Sequence, residues 1–141
     1  MGLDMYLKRN DAEVGYWRKA NAIHNWFSSQ AENGCLENCE RMIISREILE
    51  DLLELCNKTL KILDNGKLIS KEEQGFVIKL YDEETANAVS EILPTASGFF
   101  WGSVIIGEWY REDIEITIEI CQEVLNTTDW EKDIVEYYAW W

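Results

Sequence analysis

The sequence predicts an α+β fold: a small sheet that includes N- and C-terminal strands, packed by three to four helices. Three observations carry this reading. At the start, Leu3, Met5 and Leu7 alternate with Asp4, Tyr6 and Lys8, the two-residue period of a strand. In the middle and again later, apolar residues recur at helical spacing over long stretches. At the end, Ile134 to Trp141 is a run rich in β-branched and aromatic residues, which favour strands. At 141 residues, 47% of them hydrophobic, the chain is expected to form one globular domain over residues 1–141 with a real core.

After the first strand, Asn10 to Glu13 reads as a connection. From about Gly15 the pattern reads as helical, with Ala20, Ile23 and Phe27 on one face and Arg18, Asn21 and Asn25 on another. Gly34 closes this region. Trp26 and Phe27 are assigned to the core. Arg41 to Ile44 is a short apolar strand, and Ser45 is a good N-cap for the helix after it. Ile48, Leu49, Leu52, Leu53, Cys56, Leu60 and Leu63 mark the stripe of that long amphipathic helix, which stops at Asp64-Asn65-Gly66. Residues 67–82 are ambiguous, since Gly75 to Tyr81 fits a strand or the start of a helix. Glu83 to Leu93 reads as a short helix closed by Pro94. Tyr110, Ile114, Thr117, Ile118, Cys121, Val124 and Leu125 give a last helical stripe, with Glu112 and Asp113 in the first turn, where the helix dipole favours them.

A net charge of −14 argues against nucleic-acid binding, which needs a cationic surface. Such charge mainly supplies solubility. It also suits a face that mimics a polyanion. No apolar run reaches the length of a membrane span, and Met1 to Arg9 lacks the apolar core of a signal peptide, so the expectation is a cytoplasmic protein with no membrane partner. Of the four cysteines, Cys56 and Cys121 fall on apolar stripes, where a thiol behaves as a small hydrophobe. Cys35 and Cys39 have a C-x3-C spacing, but only His24 exists to complete a zinc set, so no metal site is expected. No phosphate-binding loop, dinucleotide fingerprint, nucleophile elbow or H-E-x-x-H motif occurs, and no cofactor is expected.

Two tracts stand apart in a chain where 28% of residues are charged. Ala20 to Ala31 and Ile92 to Gly107 are nearly free of charge and rich in aromatic and neutral hydrogen-bonding residues. Buried polar groups need partners, so such tracts build either a polar core network or a ligand pocket. In the pocket reading, Arg18 neutralises a phosphate or carboxylate, and Asn21, His24 and Asn25 hydrogen-bond a base or ribose. Thr95, Ser97, Gly98 and Ser103 hold phosphate or sugar with their loop backbone. Trp17, Phe99, Phe100, Trp101 and Tyr110 provide stacking faces. The reading requires the two tracts to meet in space. Asp4, alone in an apolar stretch, is matched with Arg18. Trp140-Trp141 either covers a core edge or forms a contact between copies of the chain.

The opening Met1-Gly2-Leu3-Asp4-Met5-Tyr6-Leu7, the segment Val14 to His24, Leu93-Pro94-Thr95 with Ser97-Gly98-Phe99-Phe100 and Gly102-Ser103, and the aromatic ending Tyr137 to Trp141 resemble a family of small phage and prophage proteins. Members are often described as phosphoglycerate kinase, although a chain of this length has no room for the two nucleotide-binding lobes of such a kinase. The resemblance implies a phage-encoded protein acting in the bacterial cytoplasm. By analogy it implies non-catalytic sequestration of a nucleotide-derived host immune signal. Two alternatives stand beside it: an acidic inhibitor of a basic host factor, and a small nucleotide-processing enzyme using His24.

Overall fold

Regular structure begins with a hairpin. The computed structural model describes residues 2–141. Strand β1 (Asp4–Arg9) pairs antiparallel with β2 (Ala12–Arg18), with Asp4 opposite Arg18 and Tyr6 opposite Tyr16. Asn10 and Asp11 form the connection, both at positive φ (52° and 68°). That is what a two-residue hairpin turn requires, and Asn and Asp tolerate it well. The helix expected from about Gly15 therefore begins only at Asn21, and Gly15 to Arg18 belong to a strand. Its inward positions are Gly15 and Trp17, both buried, with Tyr16 and Arg18 outward. A glycine at an inward position erased half of the two-residue signal.

Helix α1 (Asn21–Ser29) comes next, ending before Gly34, and a loop through Cys35 and Cys39 leads to the two-residue strand β3 (Met42–Ile43). Helix α2 (Arg46–Asp64) is capped by Ser45, whose hydroxyl accepts from Ile48 N at 3.3 Å. Residues 67–82, ambiguous in sequence, form a second hairpin of β4 (Leu68–Glu73) and β5 (Phe76–Tyr81), turning at Gln74-Gly75 with positive φ (51° and 81°). Helix α3 (Glu83–Ser90) is capped by Asp82, and α4 (Glu108–Thr127) is the longest element. Strand β6 (Val135–Trp140) ends the fold. The architecture is α+β, with a four-stranded antiparallel sheet in the order β2-β1-β6-β3 and the separate β4-β5 hairpin.

The helices gather on one face of the larger sheet. There Leu3, Met5, Leu7, Trp17, Val135, Tyr137 and Ala139 are buried with Ile23 and Phe27 of α1, Leu49, Leu52 and Cys56 of α2, and Ile114, Cys121 and Val124 of α4. Phe27 stacks on Tyr137 with ring centroids 4.0 Å apart. Helix α4 crosses β2 at Gly15, where an added Cβ would lie 2.7 Å from Ile120 Cγ2. Only a residue without a Cβ permits that approach. Trp17 Nε1 donates to Thr117 Oγ1 at 2.8 Å and fixes the same crossing. The opposite sheet face carries Tyr6, Tyr16 and Tyr138 side by side, with Tyr6 stacked on Tyr138 at 5.0 Å. No helix among the described residues is long and apolar enough to cross a membrane.

Candidate functional site

The two uncharged tracts meet, and Asn21 joins them. Its side-chain nitrogen donates to the carbonyls of Trp101 (3.1 Å) and Ser103 (2.9 Å), and its oxygen accepts from Ala96 N (3.1 Å). Asn21 is buried and both amide hydrogens are engaged. Its role is thus to pin the 94–105 loop onto the start of α1, not to read a ligand base. Thr95 closes the neck of the same loop by donating to Val104 O at 3.0 Å. The backbone is tight where the tracts touch. Lys19 and Gly102 both have positive φ (57° and 91°), and a Cβ on Gly102 would fall 2.9 Å from Lys19 Cβ.

Beside this junction lies a cleft of about 570 Å3. The end of β2 supplies Tyr16, Trp17 and Arg18, the residue after it is Lys19, and the loop supplies Thr95, Gly102, Ser103 and Ile105. The first two turns of α4 supply Trp109, Tyr110, Glu112, Asp113 and Ile116. That volume suits a small ligand. Trp109 stands 73% exposed at the rim. Trp17 and Tyr110 form the floor, both buried, with the Tyr110 hydroxyl donating to Leu93 O at 2.7 Å. Trp17 is therefore a core residue held by Thr117 and not an open stacking face.

Arg18 reaches the cleft from a strand, so the helical strip of Arg18, Asn21 and Asn25 does not exist. Its Nη1 lies 2.7 Å from Asp4 Oδ1, the pairing expected from sequence. Tyr16 donates to the same carboxylate at 2.5 Å. The Tyr16 hydrogen bond first, then Arg18, hold the Asp4 carboxyl below its ordinary range against an opposing cost of burial. On the other wall, burial foremost and the neighbouring Glu112 push Asp113 up to about 7. With a pKa near neutrality this carboxyl is able to donate as well as accept a hydrogen bond.

The remaining expected site residues lie outside the cleft. His24 is buried, 2.7 Å from the Tyr137 hydroxyl through Nδ1. Burial lowers its pKa to about 4, so the ring is neutral. It packs in a perpendicular three-ring cluster with Trp101 (4.9 Å) and Trp141 (5.1 Å). Trp101 is thus a plug over the buried histidine, and Trp141 covers the core edge. Asn25 is half-buried on α1, outside the cleft lining. Ser97, Gly98, Phe99 and Phe100 form the exposed tip of the loop, where Phe99 and Phe100 touch each other at 4.5 Å. Sequence reasoning missed Lys19, Trp109, Glu112 and Asp113 as cleft residues. The spacing of Trp109, Asp113 and Ile116 on one face of α4 was the signal that could have found Trp109 and Asp113.

Fold and cleft together define an α+β protein with a small-molecule-sized, mixed-charge cleft at the junction of a sheet edge, a pinned loop and a helix start. No family model, curated protein or solved structure matches the chain.

Proposed function

We propose that the cleft captures a small anionic ligand, and that this ligand is nucleotide-derived. One observation carries the reading: Arg18 at the end of β2 and Lys19 just after it line the cleft, Glu112 and Asp113 line it from α4, and an exposed indole stands at the rim. Cations suit a phosphate, a carboxyl able to donate and accept suits the polar edge of a base, and Trp109 offers a stacking face. Arg18 is already paired with Asp4, which leaves Lys19 as the cleft cation with no carboxylate partner among the described residues. With His24 in the interior, the support favours binding over catalysis. The resemblance to small phage proteins extends the reading to sequestration of a host immune signal, a step that rests on analogy.

Calorimetry against a panel of linear and cyclic mono- and dinucleotides tests it. Saturable one-to-one binding of at least one member, weakened tenfold or more by Lys19→Ala or Trp109→Ala, is expected. Heat denaturation of the complex then releases the ligand intact. Absence of binding across the panel, or binding indifferent to both substitutions, refutes the reading. One observation favours the inhibitor reading instead. Glu108, Glu112, Glu115, Glu119 and Glu123 form an exposed acidic stripe along α4, suited to a basic protein surface. A host protein captured by the wild type and lost on reversing Glu119 and Glu123 to Lys would support it.

A further inference from the structure

A second cavity, also of about 570 Å3, lies on the far side of Trp109. One wall is the first half of β5, and the other is the segment leading into α4. Ser103, Ile105 and Trp109 line both cavities, so the two adjoin at these residues. The chemistry changes between them. The first compartment holds the charged groups described above; the second sets Phe76, Val77, Ile78 and Ile105 beside a wall that carries Glu73 and the Lys79–Glu108 ion pair (3.7 Å).

Phe76 and Val77 are 74% and 70% exposed, large apolar side chains left open to solvent on the two faces of β5. The backbone explains why the trough is open. The outer edge of β5 is paired only at its end, where Tyr81 N donates to Ile106 O at 2.9 Å and Leu80 bridges Gly107. Upstream of that point the pairing stops and the trough begins.

We propose that the two cavities are one bipartite site whose ligand is amphipathic: an anionic, hydrogen-bonding head in the cleft, joined to an apolar arm that passes Trp109 into the trough. This rests on the cleft reading and narrows its ligand class. Continuity with a cleft of small-molecule size selects a free small molecule as the occupant. With Glu73 on the trough wall and Lys79 paired to Glu108, the wall carries no excess of positive charge to attract an anionic membrane surface.

The test is calorimetry with linear alkyl phosphates from butyl to decyl, kept below their micellar concentrations. Affinity should tighten about two- to fourfold per added methylene until the trough is filled. Phe76→Ser and Val77→Ser, both at exposed positions, bring the butyl-to-decyl Kd ratio close to one. Decyltrimethylammonium, with the same arm and a cationic head, binds at least tenfold more weakly than decyl phosphate. A ratio near one in the wild type overturns the inference and leaves the cleft reading standing. A steep ratio that survives both substitutions overturns it as well, since the arm then lies elsewhere. Equal binding of the phosphate and the ammonium overturns the anionic head, and the cleft reading with it. Sedimentation velocity and vesicle flotation complete the test. A wild-type dimer dissolved by Phe76→Ser, or binding only to phosphatidylglycerol vesicles, assigns the trough to another occupant and overturns the inference.

Discussion

Replacing Asp113 by Asn is expected to unmask a pH dependence that the wild-type protein conceals. In the folded state, burial and Glu112 raise the Asp113 pKa from 3.8 to about 7. The folded protein therefore keeps a proton that the unfolded chain releases, and stability falls as pH rises between those values. His24 has the opposite slope. Burial lowers its pKa from 6.5 to about 4, so below 6.5 the unfolded chain takes up a proton that the folded state refuses. Its contribution is lost as pH falls. Each slope approaches about 1.4 kcal/mol per pH unit, or about 2 kcal/mol between pH 5 and pH 6.5. The two nearly cancel across that window, while the lowered carboxyls of Asp4, Asp82 and Asp133 act at more acidic pH. Urea unfolding from pH 5 to pH 7.5, above the isoelectric point near 4.4, reads the balance. The wild type should be nearly flat to pH 6.5, and Asp113→Asn should gain about 2 kcal/mol over the same range. His24→Asn should lose a similar amount, with the slope reversed. An Asp113→Asn profile parallel to the wild type would refute the buried, proton-holding carboxyl.

Three further outcomes rest on packing. Asn21→Ala should cost about 2–4 kcal/mol by chemical denaturation, because it strands the carbonyls of Trp101 and Ser103 and the amide of Ala96. Asn21→Asp should cost more, since a carboxylate faces two carbonyl oxygens; equal costs would mean the loop is not pinned as described. Gly15→Ala should destabilise by about 1–3 kcal/mol through Ile120, and combining it with Ile120→Ala should cost less than the sum of the single changes in a double-mutant cycle. Additive costs would place the helix crossing elsewhere. Thiol titration with an aromatic disulfide should label exposed Cys35 and Cys39 quickly and buried Cys56 and Cys121 only on unfolding. Burial raises both buried thiols, Cys121 to about 12, and the thiolate is the reacting form. Four fast thiols would contradict the core.

Regular periodicity made much of the fold legible. The stripe from Ile48 to Leu63 and that from Tyr110 to Leu125 gave α2 and α4 within two or three residues, and Ser45 marked the start of α2. Strand β2 was hidden because an inward glycine looks neutral in a hydrophobic pattern, and Trp17 was drawn into the neighbouring helix. The β4–β5 hairpin was hidden for a different reason. Leu68 to Glu73 is exposed throughout, so no alternation between buried and solvent faces exists to be read. In the site, the character of the two tracts led correctly to their meeting point. The local polarity of Asn21 and His24 could not show that both are satisfied from within, by backbone carbonyls and by Tyr137. Lys19 and Asp113 were overlooked because charge outside an uncharged tract reads as solvated surface, and only the register of β2 and the turn of α4 bring them to one cavity.

The position of β6 constrains how the protein comes into being. It lies between β1 and β3, with Asp4 opposite Trp140 and Arg9 opposite Val135. The central pairing of the sheet therefore closes a loop of more than a hundred residues, among the slower events in folding. On the ribosome, the β1–β2 hairpin and helix α2 can pack against α4 once it emerges, but β1 has no partner on its other edge until residues 135–140 appear. Until then Leu3, Met5, Leu7 and Trp17 lack the Tyr137 and Ala139 side of their core. The exposed hairpin edge in that interval is a site where chaperones or aggregation compete with the native strand.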